Sequence, residues 1–223
     1  MNAAAVALET STRSPTVAVR CGAQILETEL GSERRHASDL LPALDELLRR
    51  AGLAPRAIET VIVGTGPGSY TGLRVGVATA LGLARGSGAR VLGLSSTETL
   101  VFGALAPGAE AAVVLDARSN ELYFARYRRT ATGVETLHAP CVVSAAELET
   151  LLAPRSLVFA DDDAVRAAGL ERRTDLALER GARPRARTAL EFGLARLARE
   201  GPGALASVEP LYLRAFAAKS RRR

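Results

Sequence analysis

A glycine-rich stretch with the sequence GTGPGSYTGLRVG, residues 64–76, most constrains how this chain can fold. It follows the β-branched run at 60–63 and opens an apolar segment of helical period at 73–84. A strand that breaks into glycines and restarts as a helix brings its backbone close to another group. Glycine permits positive φ, and the helix N-terminus supplies unpaired N–H groups and a positive dipole end. The pattern predicts contact with either a phosphate group or another protein.

Composition places the chain among ordinary folded proteins. With 223 residues and 48% hydrophobic residues, it can form one large domain or two small ones with a sizeable core. It has no uncharged apolar run of about 18 residues, which argues against a transmembrane helix. The first residues also lack the basic region of a signal peptide, so we expect a cytoplasmic protein without membrane contact.

The formal charge of +5 comes almost entirely from arginine, since Lys219 is the single lysine. Such enrichment is typical of coding bias as well as of nucleic-acid binding, and the one basic cluster is the tail at 219–223. Cys21 and Cys141 have no CxxC spacing, which indicates reduced, structural thiols.

Periodicity predicts an α/β fold with two lobes, each a mixed β-sheet flanked by helices. Strands are expected at 6–8, 16–20, 24–30, 60–63, 90–94, 112–115, 122–127 and 157–160. Helices are expected at 37–51, with Ser38 as N-cap, and at 73–84, 98–105, 145–152 and 188–199. The Ala-Pro-Gly sequence at 106–108 separates an N-terminal lobe, 1–106, from a C-terminal lobe, 107–223, whose last helix and tail could return to the first lobe. The polar interval 171–187 has no assignment.

Catalytic and metal-binding patterns are missing from the sequence. His36 and His138 are far apart and belong to no HxxxH or HExxH motif, so we expect neither a metal site nor a catalytic centre. Ser69 lies in GSYTG, which does not have the G-x-S-x-G spacing of a hydrolase.

A phosphate site is only weakly indicated. The loop lacks Walker spacing, and Pro67 removes one N–H from any anion nest. Glu9 ends the first strand and could hold a metal–nucleotide or face a solvated turn, and Asp116 invites the same comparison. The weak candidates for cofactor binding are Glu9, Gly66, Gly68 and Ser69; no cofactor is expected.

Small residues recur on the second helix at Gly72, Gly76 and Ala80, and the spacing repeats at Gly82 and Gly86. Interior glycines cost about 1 kcal/mol each relative to alanine, so a close neighbour must offset them. Small residues on one face let another helix approach closely, either within the fold or from another subunit.

Several motifs resemble the bacterial TsaB (YeaZ) family. The segment 64–84 resembles that family's hallmark, and further matches follow in family order. They are ETS at 9–11, HASDLLP at 36–42, GLSSTE at 93–98, LDAR at 115–118 with ELY at 121–123, and PLYLR at 210–214. Where the family usually has Asp after the first strand, this chain has Glu9. The longer side chain weakens the case for independent nucleotide binding.

The resemblance implies an actin-like (ASKHA) fold and a role in tRNA N6-threonylcarbamoyladenosine synthesis. It implies an inactive paralogue of the catalytic subunit TsaD that binds TsaD and is joined by the ATPase TsaE. Contact with tRNA would be indirect, and the chain would form a homodimer when alone. The alternative is an autonomous ASKHA-type ATPase, phosphotransferase or peptidase.

The family's pairing surface corresponds here to the helices at 38–51 and 72–86. The residues expected at this partner interface, either facing the partner or supporting the interface from the core, are Leu40, Leu44, Leu47, Leu48, Gly72, Leu73, Gly76, Val77, Ala80 and Leu81. Gly72 and Gly76 would allow the close approach. On this hypothesis, Gly76→Leu abolishes pairing and leaves a folded protein.

Overall fold

The computed structural model describes residues 4–31, 36–201 and 208–213, without the side chains of residues 36–38. Two five-stranded sheets dominate it. The first lobe consists of β1 (Ala4–Glu9), β2 (Thr16–Cys21), β3 (Gln24–Glu29), α1 (His36–Arg50), β4 (Ile58–Gly64), α2 (Tyr70–Ser87), β5 (Arg90–Leu94) and α3 (Ser96–Ala104). The second consists of β6 (Glu110–Arg118), β7 (Glu121–Arg129), β8 (Val134–Ser144), α4 (Ala145–Leu151), β9 (Leu157–Ala160), α5 (Asp162–Ala168), β10 (Ala177–Arg180) and α6 (Ala186–Glu200). Short 3-10 helices lie at Pro55–Ala57 and Leu170–Arg172.

The first sheet has the strand order β3-β2-β1-β4-β5. Strands β1 to β3 are antiparallel, whereas β4 and β5 run parallel to β1. Every residue of β1 is buried, as expected for a central strand covered on both faces. Val6 pairs with Val19 on one side and with Val61 on the other.

The second sheet repeats this plan. Its order, read from β8, is β8-β7-β6-β9-β10, with β6 central, β7 and β8 antiparallel, and β9 and β10 parallel. Parallel neighbours require a crossover, which α4 and α5 supply as α1 and α2 do in the first lobe. The α/β fold class with two mixed sheets is therefore confirmed.

The helices form layers around the sheets. Helices α1 and α2 pack on one face of the first sheet, and α6 packs against β1, β2 and β4 on its other face. Helix α3 contacts α6, β6 and β7 and so lies between the two sheets. Helices α4 and α5 cover the outer face of the second sheet. None of the helices within the described ranges is long and apolar enough to cross a membrane.

The predicted elements are largely confirmed, with four corrections. Helix α1 begins at His36, so Ser38 lies inside it and is not its N-cap. Strand β8, helix α5 and strand β10 were not predicted. Strand β10 is short and mostly exposed, and it lies within the interval 171–187, for which the sequence predicted no element. The basic tail at 219–223 lies outside the described residues.

Candidate functional sites: the helical face and the interlobe cleft

The glycine turn between β4 and α2 is pressed against the chain that follows β1. A Cβ on Gly68 would lie 2.3 Å from the carbonyl oxygen of Ser11. The N–H of Ser69 donates to that same oxygen at 2.7 Å, and the Ser69 hydroxyl caps α2 by accepting from the N–H of Gly72 at 3.3 Å. The close approach predicted for this turn is therefore made to the protein's own backbone, which occupies donors that an anion would need.

Glu9 is enclosed rather than exposed at a turn. Its carboxylate accepts the N–H of Ser11 at 2.9 Å and the hydroxyl of Ser96 at 3.0 Å. A Cβ on Gly64 would lie 2.1 Å from Glu9 Oε2, so glycine makes room for the longer acid. Burial raises the pKa of Glu9 above its ordinary value of 4.5, against the lowering effect of these hydrogen bonds.

The structure argues against cofactor binding by two of the weak candidates. Glu9 does not line the cleft described below. The N–H of Gly66 donates to the Ser96 hydroxyl, and its carbonyl oxygen accepts the N–H of Ser96. Gly68 and Ser69 do line the cleft. The N–H and the hydroxyl of Ser69 are nevertheless already hydrogen-bonded to Ser11 and Gly72.

The first glycines of α2 also have an internal neighbour. A Cβ on Gly72 would lie 2.0 Å from the carbonyl oxygen of Thr10, and one on Gly76 would lie 2.2 Å from Thr10 Oγ1. Thr10 in turn donates its hydroxyl to the carbonyl oxygen of Gly72 at 2.8 Å. We therefore expect Gly76→Leu to destabilise the fold as well as any pairing, because the leucine would collide with Thr10.

Most residues expected to contact a partner belong to the core of the first lobe. They are Leu40, Leu44, Leu47, Leu48, Leu73, Val77 and Ala80, together with the buried glycines Gly72 and Gly76. Burying them against the sheet is how α1 and α2 are held in place. Their burial favours the core-supporting alternative for these residues over direct contact with a partner.

The opposite sides of the two helices are open. Leu81 is 47% exposed and Leu41 is 53% exposed, which makes them unusual among the large apolar side chains described. Gly82 and Gly86 have nothing within 4 Å of an added Cβ. We call the exposed side of these adjacent helices the α1–α2 face; it also includes Arg74, Ala78 and Arg85 on α2 and Asp45 and Arg49 on α1.

Leu41 was not among the residues predicted for an interface. The available signal was the width of the leucine pattern on α1, which exceeds the single stripe that packing on one sheet requires. Periodicity alone could not say which of those leucines faces outward.

A cleft of about 990 Å³ separates the two lobes. Its first-lobe wall contains the loop 11–14 and the N-terminus of α2 at 68–71. Its second-lobe wall contains residues 115–118 at the end of β6, Tyr123, the start of α5 at 161–163, Arg166 and the segment 181–183. Residues 211–213 complete the wall.

Acidic residues occupy the second-lobe wall. Asp161 caps α5 by accepting the N–H of Ala164 at 2.7 Å, and it accepts the N–H of Asp116 at 3.0 Å. Desolvation raises the pKa of Asp161, and the nearby charges of Asp116 and Asp163 add to the rise. Carboxylates thus take the helix N-terminus where a phosphate would otherwise bind, so this wall disfavours a polyphosphate.

Arginines pair with these acids. Arg13 of the first lobe lies 3.0 Å from Asp163 and so spans the cleft, while Arg118 lies 3.4 Å from Asp116. All three residues of the turn 118–120 have positive φ, a backbone conformation that is uncommon for residues other than glycine. Hence guanidinium groups and carboxylates alternate around the cleft.

The histidines contribute no metal centre among the described side chains. His138 packs its ring edge-on against Phe124 and has Nδ1 2.9 Å from the carbonyl oxygen of Ala139. The described part of the chain contains no group of three His, Cys, Asp or Glu residues placed to hold a metal ion.

Comparisons with known proteins identify related chains. The family model of TsaD, tRNA N6-adenosine threonylcarbamoyltransferase, matches residues 30–176. The tRNA threonylcarbamoyladenosine biosynthesis protein TsaB of Haemophilus influenzae is 34% identical over 130 residues, which are 57% of this chain and 55% of that protein. Its Escherichia coli counterpart is 33% identical over 132 residues, 58% of this chain and 57% of that protein. The chain thus spans a little over half the length of the curated relatives that it matches.

The solved structure of YeaZ from Pseudomonas aeruginosa is similar throughout. It superposes with a TM-score of 0.78 at 27% identity and covers 95% of this chain and 100% of that one. A second Pseudomonas aeruginosa structure, described as an uncharacterized protein with similarity to peptidase YEAZ, gives 0.77 at 27% identity, with the same shares covered.

Proposed function

Since this chain belongs to the TsaB/YeaZ family, we propose that it is the non-catalytic subunit of a tRNA threonylcarbamoyladenosine-forming complex. In this role it binds the catalytic subunit TsaD through the α1–α2 face and supports transfer of the threonylcarbamoyl group to tRNA. TsaE joins the pair, and tRNA is contacted indirectly. In the absence of TsaD, the same face supports a homodimer in the cytoplasm.

The observation that carries this proposal is the pair of unfilled glycines on the open side of α2. Gly82 and Gly86 cost up to about 1 kcal/mol each relative to alanine in a helix, and no group among the described residues uses the space they leave. Gly72 and Gly76 differ, because Thr10 fills the space beside them. An external helix that packs closely over Gly82 and Gly86 would offset their cost.

The flanking residues fit such a partner. Leu41 and Leu81 supply apolar contact area, and their exposure is unfavourable until a partner covers them. Arg74 and Arg85 are exposed on the same side of α2, between Leu81 and Gly82 around the helix. Arginine is enriched in protein interfaces, so these residues fit a pairing surface.

TsaD is the partner that the comparisons favour. The TsaD family model matches the segment of this chain that contains α1 and α2. A partner with equivalent helices can present the same kind of face, so the two can pair about an approximate two-fold axis. The same reasoning accounts for homodimers when the partner is missing.

An autonomous ATPase, phosphotransferase or peptidase is the rival. Two observations disfavour tight binding of a nucleoside triphosphate. Glu9, Gly66 and Ser69 are already hydrogen-bonded within the protein, and carboxylates occupy the start of α5. Calorimetry of the isolated chain with ATP and magnesium separates the two functions. Tight binding with turnover would favour the enzyme.

Gly82→Leu offers a direct test of the pairing surface. Replacing an exposed helical glycine should stabilise the isolated chain by up to about 1 kcal/mol, because leucine has the higher helix propensity. The same change should abolish co-purification with TsaD, since the side chain prevents close helix approach. Unfolding and pull-down are measured on the same preparation.

Two variants complete the test. Leu81→Asp should also abolish co-purification, because it places a charge at the centre of the apolar patch. Leu137→Asp is the matched control: Leu137 is 37% exposed and lies on β8 in the other lobe. Retention of TsaD by folded Gly82→Leu and Leu81→Asp proteins would contradict the proposed pairing surface.

A further inference from the structure

Four arginines without an acidic partner lie at one edge of the first lobe. Arg50 ends α1, Arg85 lies in the last turn of α2, Arg56 lies in the 3-10 helix before β4, and Arg90 begins β5. All four side chains are exposed. Within the described part of the chain, none of these side chains forms an ion pair or a hydrogen bond. We call this set of four residues the arginine edge.

The topology of the lobe brings the four residues together. Strands β4 and β5 are parallel neighbours, and Arg90 pairs in register with Thr60, so both strands begin at the same side of the sheet. Helices α1 and α2 run back to that side and pack against each other there, and α2 also contacts the 3-10 helix that carries Arg56. Adjacent helices lie about 8–10 Å apart and adjacent strands about 4.8 Å apart, so the arginine edge spans on the order of 20 Å, the length of several RNA phosphates.

Acids do not balance this charge. Most other arginines of the described chain lie within salt-bridge distance of a carboxylate. The two acids near the end of α1, Asp45 and Glu46, are engaged by Arg49. In the stretches 50–60 and 85–90, Glu59 is the single acid beside four arginines. A general enrichment in arginine does not by itself concentrate unpaired cations at one edge.

Helix dipoles account for part of the charge only. Arg50 and Arg85 lie at the C-termini of α1 and α2, where a cation is favourable. Arg56 and Arg90 lie outside both helices, so the two helix dipoles give no comparable reason for them. Like charges on one edge repel one another, and a bound anion relieves that repulsion.

The surface between the arginines is open. Gly52 and Gly88 follow α1 and α2 with positive φ, and a Cβ added to either of them, or to Gly86, would meet nothing within 4 Å. The stretches 50–60 and 85–90 contain no aromatic residue that could stack on an unpaired base. Such a surface suits the phosphate backbone of a duplex better than the bases of a single strand.

We propose that the arginine edge binds the phosphate backbone of an RNA duplex, without preference for a base sequence. The choice of RNA as the polyanion rests on the proposed function, which brings tRNA to the complex. The edge then adds a direct contact with a double-helical arm of tRNA to the indirect contact proposed above. Because Arg85 also borders the α1–α2 face, the test uses Arg56 and Arg90, which lie on neither helix.

The test is fluorescence anisotropy of the full chain with a labelled RNA duplex of about 16 base pairs, at salt concentrations from 50 to 200 mM. We expect saturable binding at low salt and a dissociation constant that rises steeply with salt, because each phosphate contact releases a counterion. A single-stranded RNA of the same length should bind more weakly, because its charge density is lower.

Variants locate the binding. Arg56→Gln/Arg90→Gln should raise the dissociation constant about tenfold at low salt and reduce the salt slope by about two. The matched control is Arg155→Gln/Arg172→Gln, which removes two exposed arginines of the other lobe that also lack an acidic partner among the described residues. The control should bind within about twofold of the natural chain. Circular dichroism checks that both double variants are folded.

Three results would overturn the inference: no saturable binding of the duplex at 50 mM salt, equal losses in the two double variants, or tighter binding of the single strand than of the duplex. Binding of phosphatidylserine vesicles or of polyglutamate in place of the duplex would identify a membrane surface or an acidic protein, and would overturn it as well.

Failure of this inference is distinguishable from failure of the pairing function. Arg56→Gln/Arg90→Gln should still co-purify with TsaD, and Gly82→Leu should still bind the duplex. If Gly82→Leu retains TsaD while the duplex results hold, only the pairing surface is contradicted. If pairing behaves as expected and the duplex does not bind, only the arginine edge is.

Discussion

The two lobes share one strand order and differ in the helices that cross over it. In the first lobe, α1 and α2 have 15 and 18 residues, whereas the equivalent α4 and α5 have 7 each. The long pair buries one side on the sheet and leaves an open second side with Leu41 and Leu81. Extra helix length thus gives the first lobe an open helical surface, which is the one proposed to bind a partner, while the short helices of the second lobe cover its sheet.

The carboxylates at equivalent strand ends differ in the same way. Glu9, the last residue of β1, is enclosed in a network with Ser11 and Ser96. Asp116, near the end of β6, instead faces the cleft, and its carboxylate accepts the N–H of Arg118 at 3.0 Å. One topology therefore places an acid inside the first lobe and on the surface of the second. Side-chain length and the neighbouring loop decide which occurs.

The largest expected effect separates the two kinds of glycine on α2. Gly72→Ala should lower the free energy of unfolding by about 3 kcal/mol, because its Cβ would overlap the carbonyl oxygen of Thr10. Gly86→Ala should instead raise it by up to about 1 kcal/mol, since its surroundings are open. Urea unfolding of both variants measures the difference, and equal effects would show that α2 does not rest on Thr10.

The two lobes should also respond oppositely to pH through Glu9 and Glu147. The folded pKa of Glu9 is raised above 4.5, so the folded state binds its proton more tightly and stability falls as pH rises through that folded pKa. The folded pKa of Glu147 is lowered, first by the N–H of Ser144, so its contribution is present above 4.5 and is lost as pH falls through the folded pKa.

Glutamine variants isolate each contribution. Relative to the natural chain, Glu9→Gln should gain stability as pH rises above 4.5. Glu147→Gln should be less stable than the natural chain above pH 4.5, and this difference in the free energy of unfolding should shrink as pH falls below 4.5. The measurement is the free energy of unfolding at a series of pH values. A difference that does not depend on pH for Glu9→Gln would mean that this carboxylate is not enclosed.

The helix caps should have a smaller and similar effect in both lobes. Ser69 caps α2, and Ser144 caps α4 in a reciprocal arrangement with Glu147. Alanine at either position should lower the free energy of unfolding by about 1 kcal/mol. Thermal unfolding followed by circular dichroism tests whether both variants move one shared transition; two separate transitions would show that the lobes unfold independently.

The smallest effect is expected for the ion pair across the cleft. Arg13 and Asp163 are partly exposed, so Arg13→Ala should change the free energy of unfolding by less than about 1 kcal/mol and less at high salt. Arg185→Ala should cost more, because Arg185 holds Glu27, which is largely buried and also accepts the N–H of Arg187. Equal losses would mean that the cleft side and the side near α6 are held together equally strongly.

Sequence patterns predicted the first lobe better than the second. Strands β1 to β5 have clear apolar runs with turn residues between them, so each was located within a few residues. Strand β8 was missed because it lies at a sheet edge, has a single buried residue, Val143, and contains Pro140. Helix α5 was missed because it is only two turns long and acidic at its start, which weakens the periodic signal.

The residues predicted for a partner interface lie on α1 and α2, but most of them face the sheet. Apolar spacing located α1 and α2, yet Leu40 and Leu44 pack on the sheet and Leu41 faces outward. A leucine pattern that covers two sides of a helix does not say which side meets the sheet. The cleft with Tyr70 and Tyr212 was not predicted, since its residues are far apart in sequence.

The sequence by itself determined the α/β class, the strand–glycine–helix unit at 64–76 and the family, because periodicity and local turn chemistry depend on near neighbours. Tertiary structure alone decided what the glycines are for. Gly72 and Gly76 approach Thr10, which lies more than sixty residues earlier, whereas Gly82 and Gly86 face open space. Glycines in one helix look alike in sequence, and only the position of β1 against α2 distinguishes those that pack within the fold from those that remain open on the surface.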